Sequence, residues 1–95
     1  MSAYIIFEVD VKDHERYAKN RDLIQPTLEP YGGQFLVRGG NIQCLEGSWN
    51  PLRLVIVEFP DVENARQWWA SEVYRPAKQL RQETTDTNMI LVDGV

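Results

Sequence analysis

An α+β domain of order β-α-β-β-α-β, the ferredoxin-like arrangement, is predicted by three features of the chain. The stretch Leu52 to Phe59 is apolar on both faces, with Leu52, Leu54 and Ile56 on one parity and Val55, Val57 and Phe59 on the other. Successive strand side chains point to opposite faces, so both sides of such a strand must be covered. Two further strand-like runs stand near the ends of the chain, with helix-like stretches between. A chain of 95 residues buries about 65% of its unfolded surface on folding, which allows one modest core and a single domain spanning 1–95.

Tyr4 to Val9 reads as the first strand, rich in β-branched and aromatic residues. Asp13 is placed to cap a helix with His14 and Glu15 in its first turn. Tyr17, Ile24 and Leu28 then share one side of that helix. Pro26 should kink or restart it, and Tyr31-Gly32-Gly33 should end it. Gln34 to Val37 reads as strand and so does Ile42 to Leu45; Gly39-Gly40 between them is either a hairpin turn or a bulge in one bent strand. The element order favours the bulge, because the fold has one second strand. Gly47 to Pro51 turns the chain into Leu52–Phe59, and Pro60-Asp61 ends that strand and caps the next helix. Val62, Ala65 and Trp69 form its expected buried stripe, with Trp68 on the flank. Ser71 opens another helical segment with Val73, Ala77 and Leu80 at helical spacing, and Asn88 to Val92 is the last strand.

In this fold both helices cover one face of an antiparallel sheet. The other face carries either Tyr4, Ile6, Leu54 and Ile56 or the opposite set, an apolar patch at or above what monomers usually expose. A second copy laid sheet to sheet would cover it, so the expected partner is the chain itself, as a homodimer.

Composition narrows function by exclusion. Net charge is −4 and the ten Lys and Arg are scattered among acids, which speaks against nucleic-acid binding. A single cysteine, Cys44, permits no intrachain disulfide, and with one histidine, His14, no metal-ligand spacing arises. No metal and no cofactor is expected. The N-terminal run is interrupted by Glu8 and Asp10 and has no basic flank, so neither a signal peptide nor a membrane span is read, and a cytoplasmic location is expected.

The chain resembles the family called domain of unknown function 1330, in the dimeric α/β-barrel superfamily. The likeness rests on Asp13-x-x-x-Tyr17, the run Tyr31 to Gly40, Leu45-Glu46-Gly47-x-Trp49-x-Pro51-x-Arg53 and Glu58-Phe59-Pro60. It continues through Ala65-x-x-Trp68, Ser71-x-x-Tyr74, Leu80-Arg81 and Val92-Asp93-Gly94. His14 and Glu72 stand where the family often has proline, and Thr84-Thr85 where smaller residues are usual. The resemblance implies the ferredoxin-like fold and a dimer, and no particular reaction. The wider superfamily includes cofactor-free monooxygenases and haem-degrading enzymes, a kinship of fold alone.

A pocket between helices and sheet is expected, and Tyr17, Arg21, Trp69, Tyr74 and Arg81 are its candidate ligand-binding residues. Arg21 either snorkels from the edge of the helical stripe or clamps an anion. Tyr74 and Arg81 lie seven apart on one helical side. They either line a pocket mouth, phenol orienting and arginine neutralising, or serve as a core tyrosine and a surface ion pair. Trp69 is the candidate for an aromatic wall. Arg38 and Arg53 are expected in ion pairs within the chain or across an interface. Glu8 and Glu58 should sit too far apart for paired-carboxylate chemistry. Cys44 reads as a small buried hydrophobe. The leading expectation is a homodimer that binds a small, anionic organic molecule. The alternatives are a cofactor-independent monooxygenase or isomerase using Tyr74 or Tyr17, and a structural or regulatory dimer without a pocket.

Overall fold

The computed structural model describes residues 1–95. Four strands form one antiparallel sheet: β1 (Ala3–Val11), β2 (Gln34–Arg38), β3 (Leu54–Phe59) and β4 (Thr85–Asp93), in the order β2-β3-β1-β4. Helices α1 (His14–Tyr17), α2 (Asn20–Leu28), α3 (Val62–Ala70) and α4 (Arg75–Thr84) complete a two-layer, ferredoxin-like α+β fold 17 Å across its short axis. The first and third strands are central, as the element order requires.

Strand alternation decides which residues meet the helices. Ala3, Ile5, Phe7 and Val9 of β1 are buried, as are Val55, Val57 and Phe59 of β3. Register places Ile5 opposite Val57 and Phe7 opposite Val55, so these side chains form one layer. Ile24 and Leu28 of α2, Ala65 and Trp68 of α3, and Tyr74 and Ala77 close over them. Tyr4, Ile6, Leu54 and Ile56 therefore occupy the face away from the helices, half-buried.

The helices begin where capping chemistry lets them. Asp13 accepts from the Arg16 amide and Asp61 from the Asn64 amide, each satisfying a free N-terminal N–H. The first helical region breaks at Ala18-Lys19 rather than at Pro26, which stays inside α2. Asn20 accounts for the restart: its amide turns inward and donates to the Ala77 carbonyl at 2.7 Å. A short 3-10 turn, Glu29–Tyr31, ends at Gly32, whose φ of 72° is the left-handed cap conformation.

Four expectations are corrected. The second strand stops at Arg38, Ile42 to Leu45 is not strand, and Leu45 is 91% exposed. Gly39-Gly40 is neither hairpin nor bulge; Gly39, at φ 73°, ends β2, and the bulge lies at Leu36, between Phe35 and Val37. The opening strand starts at Leu54, leaving Leu52 exposed, because residues 39 to 53 form a long connection. Cys44 lies in that connection and is exposed, not buried.

The helix stripes shift as well. Trp68, not Trp69, is the buried member of α3, because its indole finds partners inside. Its Nε1–H donates to Thr27 Oγ1 at 3.0 Å, and its ring lies 3.9 Å from Tyr74 and 5.4 Å from Phe59. Trp69 is 44% exposed and carries the Lys78 ammonium over its ring. Ser71 ends α3, and its Oγ accepts from the Tyr74 amide, so the next helix starts only at Arg75. Val73 therefore sits in the turn, 51% exposed, and the inward stripe is Tyr74, Ala77, Arg81 and Thr84.

Candidate functional site

The α4 stripe places an arginine where a core residue would stand. Arg81 is only 5% exposed, and its Nε has no hydrogen-bond partner. None of the chain's four ion pairs includes it. Buried guanidinium donors are ordinarily satisfied by carboxylates or carbonyls, and no carboxylate pairs with Arg81. Arg81 lines an open cleft of about 720 Å³ between α3, α4 and β4. Ala65, Trp69, Gln82, Met89 and Leu91 are among the walls, which mix aromatic and aliphatic surface with a few polar groups. The cleft wraps round the sheet edge, since Met89 and Leu91 share the helix side with Phe7 and Ile5 while Ile90 pairs with Ile6.

Tyr74 stands behind this arginine. Its ring is fully buried against Trp68, and the polar group nearest its hydroxyl is the Arg81 guanidinium. Burial pushes the phenol above its ordinary range, while the Arg81 guanidinium works in the opposite direction. The phenol therefore stays protonated at neutral pH and is available as a donor.

The five candidate residues divide between two places. Trp69 and Arg81 line the cleft, with Tyr74 next to Arg81. Tyr17 and Arg21 line a different hollow, of about 400 Å³, against β1 and the Leu52-Arg53 segment. Arg21 is exposed at its rim.

Glu8 and Glu58 lie at opposite ends of the β1–β3 pair, on the face away from the helices. Glu8 accepts from Trp49 Nε1 and Asn88 Nδ2, and Glu58 from Gln34 Nε2, contacts that hold both carboxylates below their ordinary range. Arg38 and Arg53 consequently pair with neither, which corrects the intrachain ion pairs expected for them. His14 is exposed at the start of α1. Sequence reasoning missed Asn20 and Gln82. A lone amide in a helix gives no periodic signal, and only its partner across the fold reveals the use.

The fold recurs in solved structures. RPA0582, a protein of unknown function from Rhodopseudomonas palustris, superposes with a TM-score of 0.79 at 21% identity, over 99% of this chain and 82% of that one. SnoaB, a cofactor-independent oxygenase from Streptomyces nogalater, gives 0.70 at 10% identity, over 99% and 93%. A dimeric protein of unknown function with a ferredoxin-like fold from Bacteroides fragilis gives 0.57 at 11% identity, over 98% and 96%. No curated protein matches the chain. At the level of sequence the match runs over residues 2–95, so the strand order, the buried α4 stripe and the cleft beside it are those of a member of the family Domain of unknown function (DUF1330), to which this chain belongs.

Proposed function

We propose that this protein is a homodimer, joined through the sheet face away from the helices, that binds a small anionic organic molecule in the cleft between α3, α4 and β4. The observation that carries the reading is Arg81: a guanidinium almost wholly buried, without a carboxylate, at the wall of a cleft of about 720 Å³. A carboxylate or similar group on the ligand would supply the missing partner, and the guanidinium fork suits such a group well. Trp69, Met89 and Leu91 would receive the apolar body.

Isothermal titration with 2-naphthoate and with neutral naphthalene tests this. Naphthoate is expected to bind the parent protein and to lose at least tenfold in affinity in Arg81→Met, a change of about 1.4 kcal/mol or more. Equal binding of the neutral probe, or an unchanged affinity in Arg81→Met, would count against the proposal.

A second reading, cofactor-independent oxidation of a bound phenol, draws support from the buried Tyr74 hydroxyl, which stays protonated beside Arg81. The oxygenase SnoaB shares the fold. In this reading the substrate itself supplies the electrons that reduce dioxygen. Oxygen consumption with a naphthalenediol that disappears in Tyr74→Phe would favour this over binding alone.

A further inference from the structure

Five of the seven arginines form no ion pair, and three of them meet outside the cleft that Trp69 and Arg81 line. Arg21 on α2, Arg38 at the end of β2 and Arg53 before β3 border one crevice beneath Tyr17 and Asn20, of only about 10 Å³ and so too small to hold a ligand itself. Two open hollows adjoin it, one of about 400 Å³ bordered by Arg21 and Arg53, the other of about 380 Å³ bordered by Arg21 and Arg38.

Arg38 reaches this place through the β2 irregularity. Phe35 pairs with Val57, but Val37 pairs with Ile56 and Arg38 with Val55, so one extra residue, Leu36, is accommodated. Simple alternation from Phe35 would put Arg38 on the bare face of the sheet. The bulge reverses the parity and gives Arg38 the side of Val55, beneath the helices. There its Nη2 donates to the Arg21 carbonyl at 2.8 Å and its guanidinium lies 4.3 Å from the Phe35 ring centre. Arg53 is placed as deliberately. Its guanidinium rests against Gly39, where any Cβ would overlap it, and its buried Nε has no partner.

This grouping is electrostatically unfavourable as it stands. Burial, and after it the charges of Arg21 and Arg53, hold the Arg38 guanidinium below its ordinary range. Tyr17 and Asp22 act in the opposite direction, and Asp10 and His14 border the neighbouring hollow. Asp10 is engaged by Lys12 at 2.6 Å, and no carboxylate pairs with any of the three arginines. Three guanidinium groups gathered without an acid match a multiply charged oxyanion seated in the hollows beside the crevice, whose oxygens can take several N–H bonds at once.

We propose that Arg21, Arg38 and Arg53 form a second ligand site, independent of the Arg81 cleft, that binds the dianionic phosphate group of a small phosphate ester. The organic part of the ester would lie in the hollow bordered by Tyr17, His14 and Leu52.

Calorimetric titration of the full chain with inorganic phosphate and with phenyl phosphate tests the site, with acetate as a singly charged comparison. Both phosphates are expected to bind more tightly than acetate, phenyl phosphate the tighter of the two. Arg38→Met and Arg53→Met should each weaken phosphate at least tenfold, and Arg21→Met several-fold. Arg75→Met and Arg81→Met should leave it unchanged, which separates this site from the naphthoate cleft. Should either half-buried variant fail to fold by circular dichroism, Arg21→Met and Arg53→Lys decide. Arg21 is exposed, and lysine keeps the charge while losing the fork, so each should still weaken phosphate at least threefold. Phosphate binding no tighter than acetate, or unchanged in Arg21→Met and Arg53→Lys, overturns the proposal. So does a loss of dimer mass in Arg21→Met with no phosphate binding, which would assign the arginines to an acid of a partner subunit.

Discussion

At the residue scale, adjacent tryptophans have opposite fates. Trp68 is fully buried, stacked on Tyr74 and hydrogen-bonded to Thr27, whereas Trp69 lies at the cleft under Lys78. A buried indole costs less when its N–H has an acceptor, and Thr27 Oγ1, itself donating to the Ile24 carbonyl, is that acceptor. Trp68→Ala is therefore expected to destabilise the fold by about 3–5 kcal/mol, the usual cost of truncating a buried aromatic. Trp69→Ala should cost under about 1 kcal/mol, in line with substitutions outside a core. Urea unfolding of both variants checks the pair, and similar losses would show that the assignment of core and wall is wrong. The helical wheel could not separate the two, since each is compatible with a stripe through Ala65. The choice belongs to Thr27 and Tyr74, which come from other elements.

At the element scale, β2 is the segment whose behaviour departs furthest from its pattern. Ile42 to Leu45 has the residue types of a strand, yet it pairs with neither edge of the sheet, β2 or β4, and the chain runs on as a connection to Leu54. Gly39 makes the exit. Its φ of 73° is a conformation that L side chains rarely adopt, and the Arg53 guanidinium occupies the place of a Cβ. Gly39→Ala should therefore destabilise by about 1–2 kcal/mol, from backbone strain plus displacement of the guanidinium. Gly40→Ala, with open space around its Cα, should change stability by less than about 0.5 kcal/mol. Thermal unfolding of the two variants compares them directly. The bulge at Leu36 has the same origin in tertiary pairing. No glycine or proline marks it in Gln34–Arg38, and it is visible only as two residues of β2 set against one of β3.

At the scale of the whole molecule, the helices leave one face of a four-stranded sheet bare. Ile90 and Val92 of β4 are exposed there, 57% and 40%, next to the half-buried Tyr4, Ile6, Leu54 and Ile56. Such a contiguous apolar surface favours a second copy by removing it from water. Sedimentation velocity at micromolar concentration is expected to give a dimer for the parent chain. Val92→Glu should shift it toward monomer by at least tenfold in dissociation constant, through a charge buried in the interface. The substitution stands on an exposed position, so the monomer itself should remain folded. A parent chain that sediments as a monomer would remove the dimer from the proposed function while leaving both ligand sites to be judged by titration.

The residues alone determined the element order, the central position of the first and third strands, and the presence of one uncovered apolar face. Those properties follow from alternation, helical spacing and capping, which are local and periodic. Tertiary structure decided which tryptophan is core, where β2 ends, and that Arg81 is buried without an acid while Arg21, Arg38 and Arg53 converge. Each of these depends on a partner distant in sequence: Thr27 for Trp68, Gly39 for Arg53, Ile56 for Val37. A charged side chain carries the same letter whether it is solvated, paired or left waiting for a ligand. Only the packing around it distinguishes the three.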